Sequence, residues 1–253
     1  MEWHYVLAVI GVGIVTGFIN TVAGSGSLIS LPLLMFLGLS PATANGTNRI
    51  AILLQSLVGL GGFKKYSNMS KAEWKLGYWL TIPSIIGALV GAQIAVKLDD
   101  NYLEKIIAIL LIIMFFLILF KPEKWLKGKE EGVPEKPTWI QCIIFFFIGI
   151  YLGFIQAGVG FFLLAGLVLS VGFDLIKSNA IKILVVLLCT PFALGVFIYN
   201  GNVNYLWGLI LGFGAMIGAF LATRFAAKLG ANFVRYVVLI TIAIDALKLL
   251  GVY

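Results

Sequence analysis

Charged residues are scarce in this chain of 253 residues, making up 11 % of it, while hydrophobic residues make up 61 % and the mean hydropathy is +1.05. A soluble domain of this length needs a far more charged surface. Several apolar runs, such as 77–96 and 106–120, approach the roughly 20 residues that span a bilayer. None of them alternates apolar with polar residues, so they predict helices rather than a barrel. The composition therefore predicts an all-α polytopic membrane protein.

Residues with catalytic or metal-binding chemistry are also few. The chain has one histidine, His4, and two cysteines, Cys142 and Cys189, which lie in apolar runs and are expected to be small buried side chains. It has no HExxH motif, no phosphate-binding loop of the Walker type and no pair of carboxylates inside an apolar run. We therefore expect no enzymatic activity, no cofactor and no metal.

Acidic residues are nearly absent from the apolar runs. Ten of the eleven Asp and Glu residues lie at the N-terminus, in loops or at segment ends, and only Asp245 lies in the interior of a segment, where Lys248 three residues later is an ion-pair candidate. Cation transporters and proton relays usually keep carboxylates within the membrane. The scarcity favours an anionic substrate, which needs no coupling to leave a cell, because a 100 mV potential drives one negative charge outward with about 2.3 kcal/mol.

Ten hydrophobic segments and one charged linker organise the chain. The linker, 121–138, contains three prolines and two glycines and separates a first membrane repeat, 1–120, from a second, 139–253. The second segment of each half has only about a dozen residues, too few to cross a bilayer unaided. The segments cover about 5–22, 27–38, 46–62, 76–96, 103–120, 139–156, 160–172, 179–199, 204–223 and 233–251.

The two halves are related in sequence. "GFINTVAGSGSLISL" matches "GFIQAGVGFFLLA" when two residues are dropped, and "LGLSPATANGTN" matches "VGFDLIKSNAIK". An ordered series of matches indicates an internal repeat. Because each half has five segments, an odd number, the two repeats are predicted to be inverted. The matched pairs are Gly17 and Gly153, Asn20 and Gln156, Gly24 and Gly158, Gly26 and Gly160, Gly38 and Gly172, and Asn45 and Asn179.

The basic residues predict the orientation. If all ten segments reverse the chain, 14 of the 18 Lys and Arg residues lie on the side of the linker. The positive-inside rule then places the linker in the cytoplasm and both termini outside the inner (plasma) membrane. The net charge of +7 is thus assigned to orientation and anionic lipid rather than to nucleic acid. The count of basic residues is the same whether each short segment spans the membrane or re-enters it, and the shortness of these segments favours re-entry. The sequence is also compatible with a homo-oligomer.

Glycine-rich breaks interrupt both halves at the same place. "NTVAGSGSLIS", 20–30, combines amides, hydroxyls and glycines, and "IQAGVG", 155–160, keeps the glycines without the hydroxyls. A helix broken inside a membrane frees backbone amides, which face protein or a watered cavity and suit an anion. The alternative is close helix packing by small residues, which we predict for "GALVGA", 87–92, and "GAMIGA", 214–219.

Asparagines and a cation lie at the start of the third segment of each half. Asn45, Asn48 and Arg49 do so in the first half, and Asn179 and Lys182 in the second. The asparagines could be helix N-caps. The cations either extend to the interface or face a polar cavity, where they would attract an anion.

These stretches resemble the TauE/SafE sulfite exporter family of integral membrane proteins. The resemblance rests on "AGSGSLISLPLLMFLGLSPATANGTNR", on "GVGFFLLAGLVLSVGFDLIKSNAIK" and on the two-half layout. It implies export of sulfur-containing anions such as sulfite, sulfonates or related organic acids.

We therefore predict a secondary transporter that exports small, sulfur-containing anions by alternating access around a site at the membrane midplane. An anion channel, or a non-transporting assembly or sensory partner whose glycines only pack helices, remains an alternative. The residues predicted to bind the substrate are Asn20, Gly24, Ser25, Gly26, Asn45, Asn48, Arg49, Gln156, Gly158, Gly160, Asn179 and Lys182.

Overall fold

The computed structural model describes residues 3–67, 69–119 and 136–225. The tenth predicted segment, 233–251, and linker residues 121–135 lie outside this range. The described residues form α-helices joined by short connections, with one π-helical stretch, Gly166–Val171, after the seventh helix. The helices are α1 Trp3–Ala23, α2 Ser27–Phe36, α3 Pro41–Tyr66, α4 Lys71–Lys97, α5 Asp100–Leu119, α6 Trp139–Phe154, α7 Val159–Ala165, α8 Leu175–Tyr199 and α9 Tyr205–Phe225.

Among the described residues, four helices are long and apolar enough to cross a membrane: Trp3–Ala23, Lys71–Lys97, Ile176–Tyr199 and Tyr205–Arg224. Shorter apolar helices include Ser27–Phe36, Trp139–Phe154 and the continuous stretch Val159–Val171. The predicted all-helical, membrane-embedded class is confirmed, and the two short segments fall where the sequence placed them.

The third helix of each half begins earlier than its apolar pattern suggests. Ser40 is the N-cap of α3 and Asp174 that of α8, where the Asp174 carboxylate accepts a hydrogen bond from the Lys177 amide at 2.8 Å. Asn45 and Asn179 are each the fifth residue of their helix. The hypothesis that these asparagines are N-caps is therefore wrong.

Helices α1 and α9 run parallel in close contact. Gly13 lies against the backbone of Leu211, and Gly17 against that of Ala215, so the contact advances by four residues on both helices. A Cβ atom at either glycine would overlap this backbone. Small residues thus let the two helices approach closely, as is common in membranes.

Helices α4 and α6 are packed in the same way. Gly149 lies against the backbone of Ser84, and Gly153 against that of Ala88, again four residues apart on both helices. The Ser84 hydroxyl also donates to the Phe145 carbonyl at 3.1 Å. The predicted packing role of the small-residue motifs, 87–92 in α4 and 214–219 in α9, is confirmed by these contacts.

Helix α3 also runs parallel to α9, because Gly208 contacts Ile50 and Gly212 contacts Leu54. Where α3 meets α8, Gly59 lies against Ile183 and Gly46 lies against Phe197, so these two helices are antiparallel. The third helices of the two halves therefore cross the middle of the molecule in opposite directions.

Helix α8 runs parallel to α4. Near their N-termini the Lys177 ammonium and the Glu73 carboxylate form an ion pair at 2.7 Å, and one turn further Gly77 contacts Ile181. The described helices thus include two parallel groups that run in opposite directions. One group is α1, α3 and α9, and the other is α4, α6 and α8.

Candidate functional site

Two broken helical hairpins enter this bundle from opposite ends. Hairpin 1 is α1 and α2 with the break 24–26, and hairpin 2 is α6 and α7 with the break 155–158. Gly24 and Gly158, which the sequence repeat pairs, have φ of +73° and +71°. This left-handed conformation favours glycine and reverses the chain. Gln156 adopts it as well, with φ of +65°, although it carries a side chain.

The tips of the two hairpins touch inside the bundle. The Gly160 amide donates a hydrogen bond to the Gly24 carbonyl at 3.1 Å. A Cβ atom on either residue would overlap the backbone of the other. The glycines therefore allow a direct backbone contact between the breaks of the two halves.

Lys182 of α8 holds the end of hairpin 1. Its side chain is buried, and its ammonium donates to the Asn20 carbonyl at 3.3 Å, the Thr21 carbonyl at 3.1 Å and the Asn179 side-chain oxygen at 2.7 Å. The two carbonyls belong to the last turn of α1, where a cation also complements the helix dipole. The second half thus caps a helix of the first.

Arg49 of α3 makes the reciprocal contact with hairpin 2. Its guanidinium donates to the Leu152 carbonyl at 3.1 Å, the Gly153 carbonyl at 2.6 Å and the Gln156 side-chain oxygen at 3.1 Å. It also lies 4.6 Å from the centre of the Phe197 ring, a cation–π contact. Arg49 has no exposed surface, so both cations face inward and neither extends to the interface.

The asparagines reinforce these contacts. The Asn45 amide donates to the Phe154 carbonyl at 2.6 Å, and its oxygen accepts from Arg49 at 3.3 Å. The Asn48 oxygen accepts a hydrogen bond from the Ser30 hydroxyl at 2.7 Å, which joins α2 to α3. Polar side chains of α3 therefore touch both hairpins.

A narrow cavity lies beside the contact between the tips. It measures about 20 Å³, which is room for a water molecule and too little for an oxyanion. Its polar wall consists of Asn20, Thr21, Gly24, Ser27, Gln55, Ser56, Gln156, Gly160 and Lys182. Its apolar wall consists of Ile52, Val159, Ile183 and Val186.

The structure brings five of the twelve predicted site residues to this cavity: Asn20, Gly24, Gln156, Gly160 and Lys182. The other seven are not part of its lining: Ser25, Gly26, Asn45, Asn48, Arg49, Gly158 and Asn179. Gly26 packs against the Thr16 carbonyl, and Asn179 contacts Lys182. The Ser25 hydroxyl is fully buried and has no hydrogen-bond partner among the described residues.

Four polar residues of the cavity wall were not predicted from the sequence: Thr21, Ser27, Gln55 and Ser56. Gln55 and Ser56 had a usable signal, since they are adjacent polar residues in the middle of the apolar third segment. Thr21 and Ser27 lie within the glycine-rich stretch, where sequence alone does not say which hydroxyls face inward.

The chemistry of the wall suits an anion. It offers the Lys182 ammonium, side-chain amides, hydroxyls and glycine backbone, and it contains no acidic residue among the residues described. Across the described ranges, no group of three His, Cys, Asp or Glu residues is placed to hold a metal ion.

These features define the class of protein. It is a polytopic helical membrane protein in which two glycine-broken hairpins meet beside a polar cavity. The family model described as "Sulfite exporter TauE/SafE" matches residues 9–249, and the chain belongs to this family.

Relatives of similar length support the assignment. The chain is 28% identical over 252 residues to "Probable membrane transporter protein ORF9" of Sinorhizobium sp, covering 99% of this chain and 94% of that one. It is 28% identical over 242 residues to "Probable membrane transporter protein YfcA" of Escherichia coli K12, covering 94% and 87%. The corresponding values for "Probable membrane transporter protein YunE" of Bacillus subtilis are 22% over 240 residues, 86% and 87%. No solved structure is significantly similar to the chain.

Proposed function

We propose that this chain is a secondary transporter that exports small anions, sulfur oxyanions among them, through the cavity where the two hairpins meet. The observation that carries the proposal is a buried lysine, Lys182, on the wall of a cavity that is lined by hydrogen-bond donors and lacks a carboxylate among the residues described. An uncompensated positive charge inside a membrane protein favours an anionic ligand.

The family and the relatives' names agree with this proposal. The family description names a sulfite exporter, and the three relatives above are each named a probable membrane transporter protein. Sulfite, sulfonates and related organic acids are therefore the first substrates to test. Transport, rather than chemical conversion, is the activity that we assign to the chain.

We infer an inverted repeat of five segments in each half, with hairpins that re-enter the membrane. Equivalent helices run in opposite directions in the three pairs α1 and α6, α3 and α8, and α4 and α9. Two matched pairs of glycines share positive φ: Gly24 with Gly158, at +73° and +71°, and Gly38 with Gly172, at +87° and +93°. Inverted repeats around broken helices are typical of secondary transporters.

Alternating access follows from this architecture as a proposal. A cavity of about 20 Å³ must widen before an oxyanion enters, so a hairpin or a helix group has to move. The two oppositely directed hairpins offer one gate for each side of the membrane, with the site between them.

We also propose that the linker side faces the cytoplasm of the inner membrane. The α3 end, the α4 start and the α8 start lie together on that side, and they carry Lys64, Lys71, Lys75 and Lys177. The opposite end carries Lys97 and Lys105. This difference matches the positive-inside rule.

The direct test is flux in proteoliposomes. The purified chain is reconstituted, and uptake of sulfite, thiosulfate, the sulfonate taurine, acetate and chloride is measured. We expect the sulfur oxyanions to move faster than acetate and chloride. Absence of flux from folded protein would favour a non-transporting partner. Uptake that is not stimulated by the same anion inside the proteoliposomes would favour a channel.

Variants of two glutamines, one in the cavity and one outside it, test whether flux passes through the cavity. Gln55 lines the cavity, whereas Gln93 of α4 is exposed on the outer surface of the bundle. Gln55→Leu removes an amide from the wall and should reduce flux by a factor of about 10 to 100, since the loss of a hydrogen bond to a charged group costs about 1.5–3 kcal/mol. Gln93→Leu should leave flux unchanged. Equal flux in both variants would place the pathway elsewhere.

A further inference from the structure

We propose that Lys182 is a latch that the transported anion opens: its ammonium caps α1, and binding of an anion draws it away and releases hairpin 1. This inference rests on the proposed function, because it names the residue through which the substrate would move a gate.

The hydrogen bonds of Lys182 leave no spare donor for an anion. An ammonium group has three hydrogens, and the three acceptors around it are the carbonyls of Asn20 and Thr21 and the side-chain oxygen of Asn179. An oxyanion in the cavity therefore binds Lys182 only by replacing one of them. The carbonyl contacts, 3.3 and 3.1 Å, are longer than the 2.7 Å contact with Asn179. A bond from the ammonium to an anion adds the attraction of opposite charges, which a neutral carbonyl lacks, so the carbonyls of α1 are the partners lost.

The released carbonyls lie next to the tip of hairpin 1. The Asn20 carbonyl also accepts from the Gly24 amide at 2.9 Å, and the Gly24 carbonyl accepts from the Gly160 amide at 3.1 Å. Movement of α1 away from Lys182 would break the contact between Gly24 and Gly160, both of which line the cavity. The Gly160 amide would then point to the widened cavity as a further donor for the anion.

Hairpin 2 lacks this device. Arg49, the cation that caps α6, does not line the cavity, and it is held by four acceptors and by the Phe197 ring. An anion in the cavity therefore has no direct access to it. The two hairpins should respond differently to the anion, with hairpin 1 opening and hairpin 2 staying in place.

Cysteine reporters on the two tips test this difference. In a background with Cys142→Ser and Cys189→Ala, Ser25→Cys reports on hairpin 1 and Ala157→Cys on hairpin 2. Both positions are buried, with relative exposures of 0% and 2%. The rate of labelling by a permeant maleimide is measured in proteoliposomes in methanesulfonate and in gluconate at equal ionic strength. Methanesulfonate should accelerate labelling of Ser25→Cys about tenfold, the effect of removing a hydrogen bond to a charged group, and leave Ala157→Cys unchanged.

Removing the latch should open hairpin 1 without an anion. In Lys182→Met, Ser25→Cys should be labelled at the fast rate in both solutions, with Ala157→Cys still slow. Lys182→Arg, which keeps the charge and the donors, is the second variant and should keep the slow rate in gluconate and the acceleration by methanesulfonate. Slow labelling of Ser25→Cys in folded Lys182→Met, or equal acceleration at both tips, would overturn the proposal, as would loss of the acceleration in folded Lys182→Arg.

Flux separates failure of this inference from failure of the proposed function. Methanesulfonate flux by the parent protein is measured under the same conditions. Flux with no acceleration at Ser25→Cys would overturn the latch and leave the transporter standing. Fast labelling of Ser25→Cys in Lys182→Met without any flux in the parent would support the latch and contradict the transporter.

Discussion

Each half of the molecule uses a cation of its third helix to cap a broken hairpin of the other half, but the two cations are held differently. Arg49 is enclosed by two carbonyls, two amide oxygens and an aromatic ring, away from the cavity. Lys182 is equally buried but forms part of the cavity wall. The guanidinium, with five donors in a rigid fork, suits a fixed structural contact, whereas the ammonium is a compact charge that can change partners. The repeat therefore combines one static and one exchangeable connection.

The largest effect is expected when the static connection is removed. Arg49→Met leaves the last carbonyls of α6 and the Gln156 side chain without their donor inside the bundle. We expect a loss of about 3–5 kcal/mol of folding free energy, because buried polar groups are left unpaired. The measurement is the midpoint of thermal unfolding in detergent. Arg49→Lys, which keeps the charge with fewer donors, should lie between Arg49→Met and the parent, and an unchanged midpoint in Arg49→Met would show that Arg49 is not a structural residue.

The next largest effect is expected when the contact between the tips is disrupted. Gly24→Ala forces a left-handed conformation on alanine, which costs about 1–2 kcal/mol, and introduces a Cβ against the Gly160 backbone, which costs about 1–3 kcal/mol more. Gly38→Ala is the matched control, because Gly38 has φ of +87° and a Cβ added there would have no neighbouring atom within 4 Å. Unfolding midpoints and flux are measured for both. Gly24→Ala should lose flux, and it should lose more stability than Gly38→Ala. Equal effects of the two substitutions would mean that the two tips do not touch.

The smallest effect is expected at the ion pair between α4 and α8. Its side chains are 30% and 11% exposed, and the Glu73 carboxylate keeps a second contact with the Ser70 amide at 2.6 Å when Lys177 is removed. Lys177→Met should therefore cost about 1 kcal/mol or less, and the difference from the parent should shrink at high salt. The check is the unfolding midpoint at two salt concentrations. A loss as large as that of Arg49→Met would mean that this ion pair is also essential to the bundle.

The sequence predicted the helices of this fold better than their contacts. Apolar runs, short second segments and paired glycines depend on local pattern, and they identified the breaks at Gly24 and Gly158. The starts of α3 and α8 were set too late, because their first turns, 41–44 and 175–178, mix apolar with polar residues and the caps, Ser40 and Asp174, precede the apolar pattern. The hydrophobic pattern of a helix does not predict which residues its polar side chains contact.

The candidate site shows the same limit. The sequence placed Arg49 and Lys182 together as anion-binding residues, because both are cations inside apolar segments. Only the three-dimensional arrangement separates them, since the carbonyls that they cap lie more than 100 residues away along the chain. Gln55 and Ser56 were missed although they are polar residues in the middle of the apolar third segment, and only the packing of α3 shows that they face the cavity.

Flux of labelled thiosulfate into proteoliposomes, compared for the parent, Lys182→Met and Lys97→Met, tests the central claim most directly. Lys97 is an exposed lysine at the end of α4 and controls for the loss of one positive charge. We predict flux in the parent and in Lys97→Met and little or none in folded Lys182→Met. Equal flux in all three proteins, or no flux in the folded parent, would contradict an anion pathway through the cavity at Lys182.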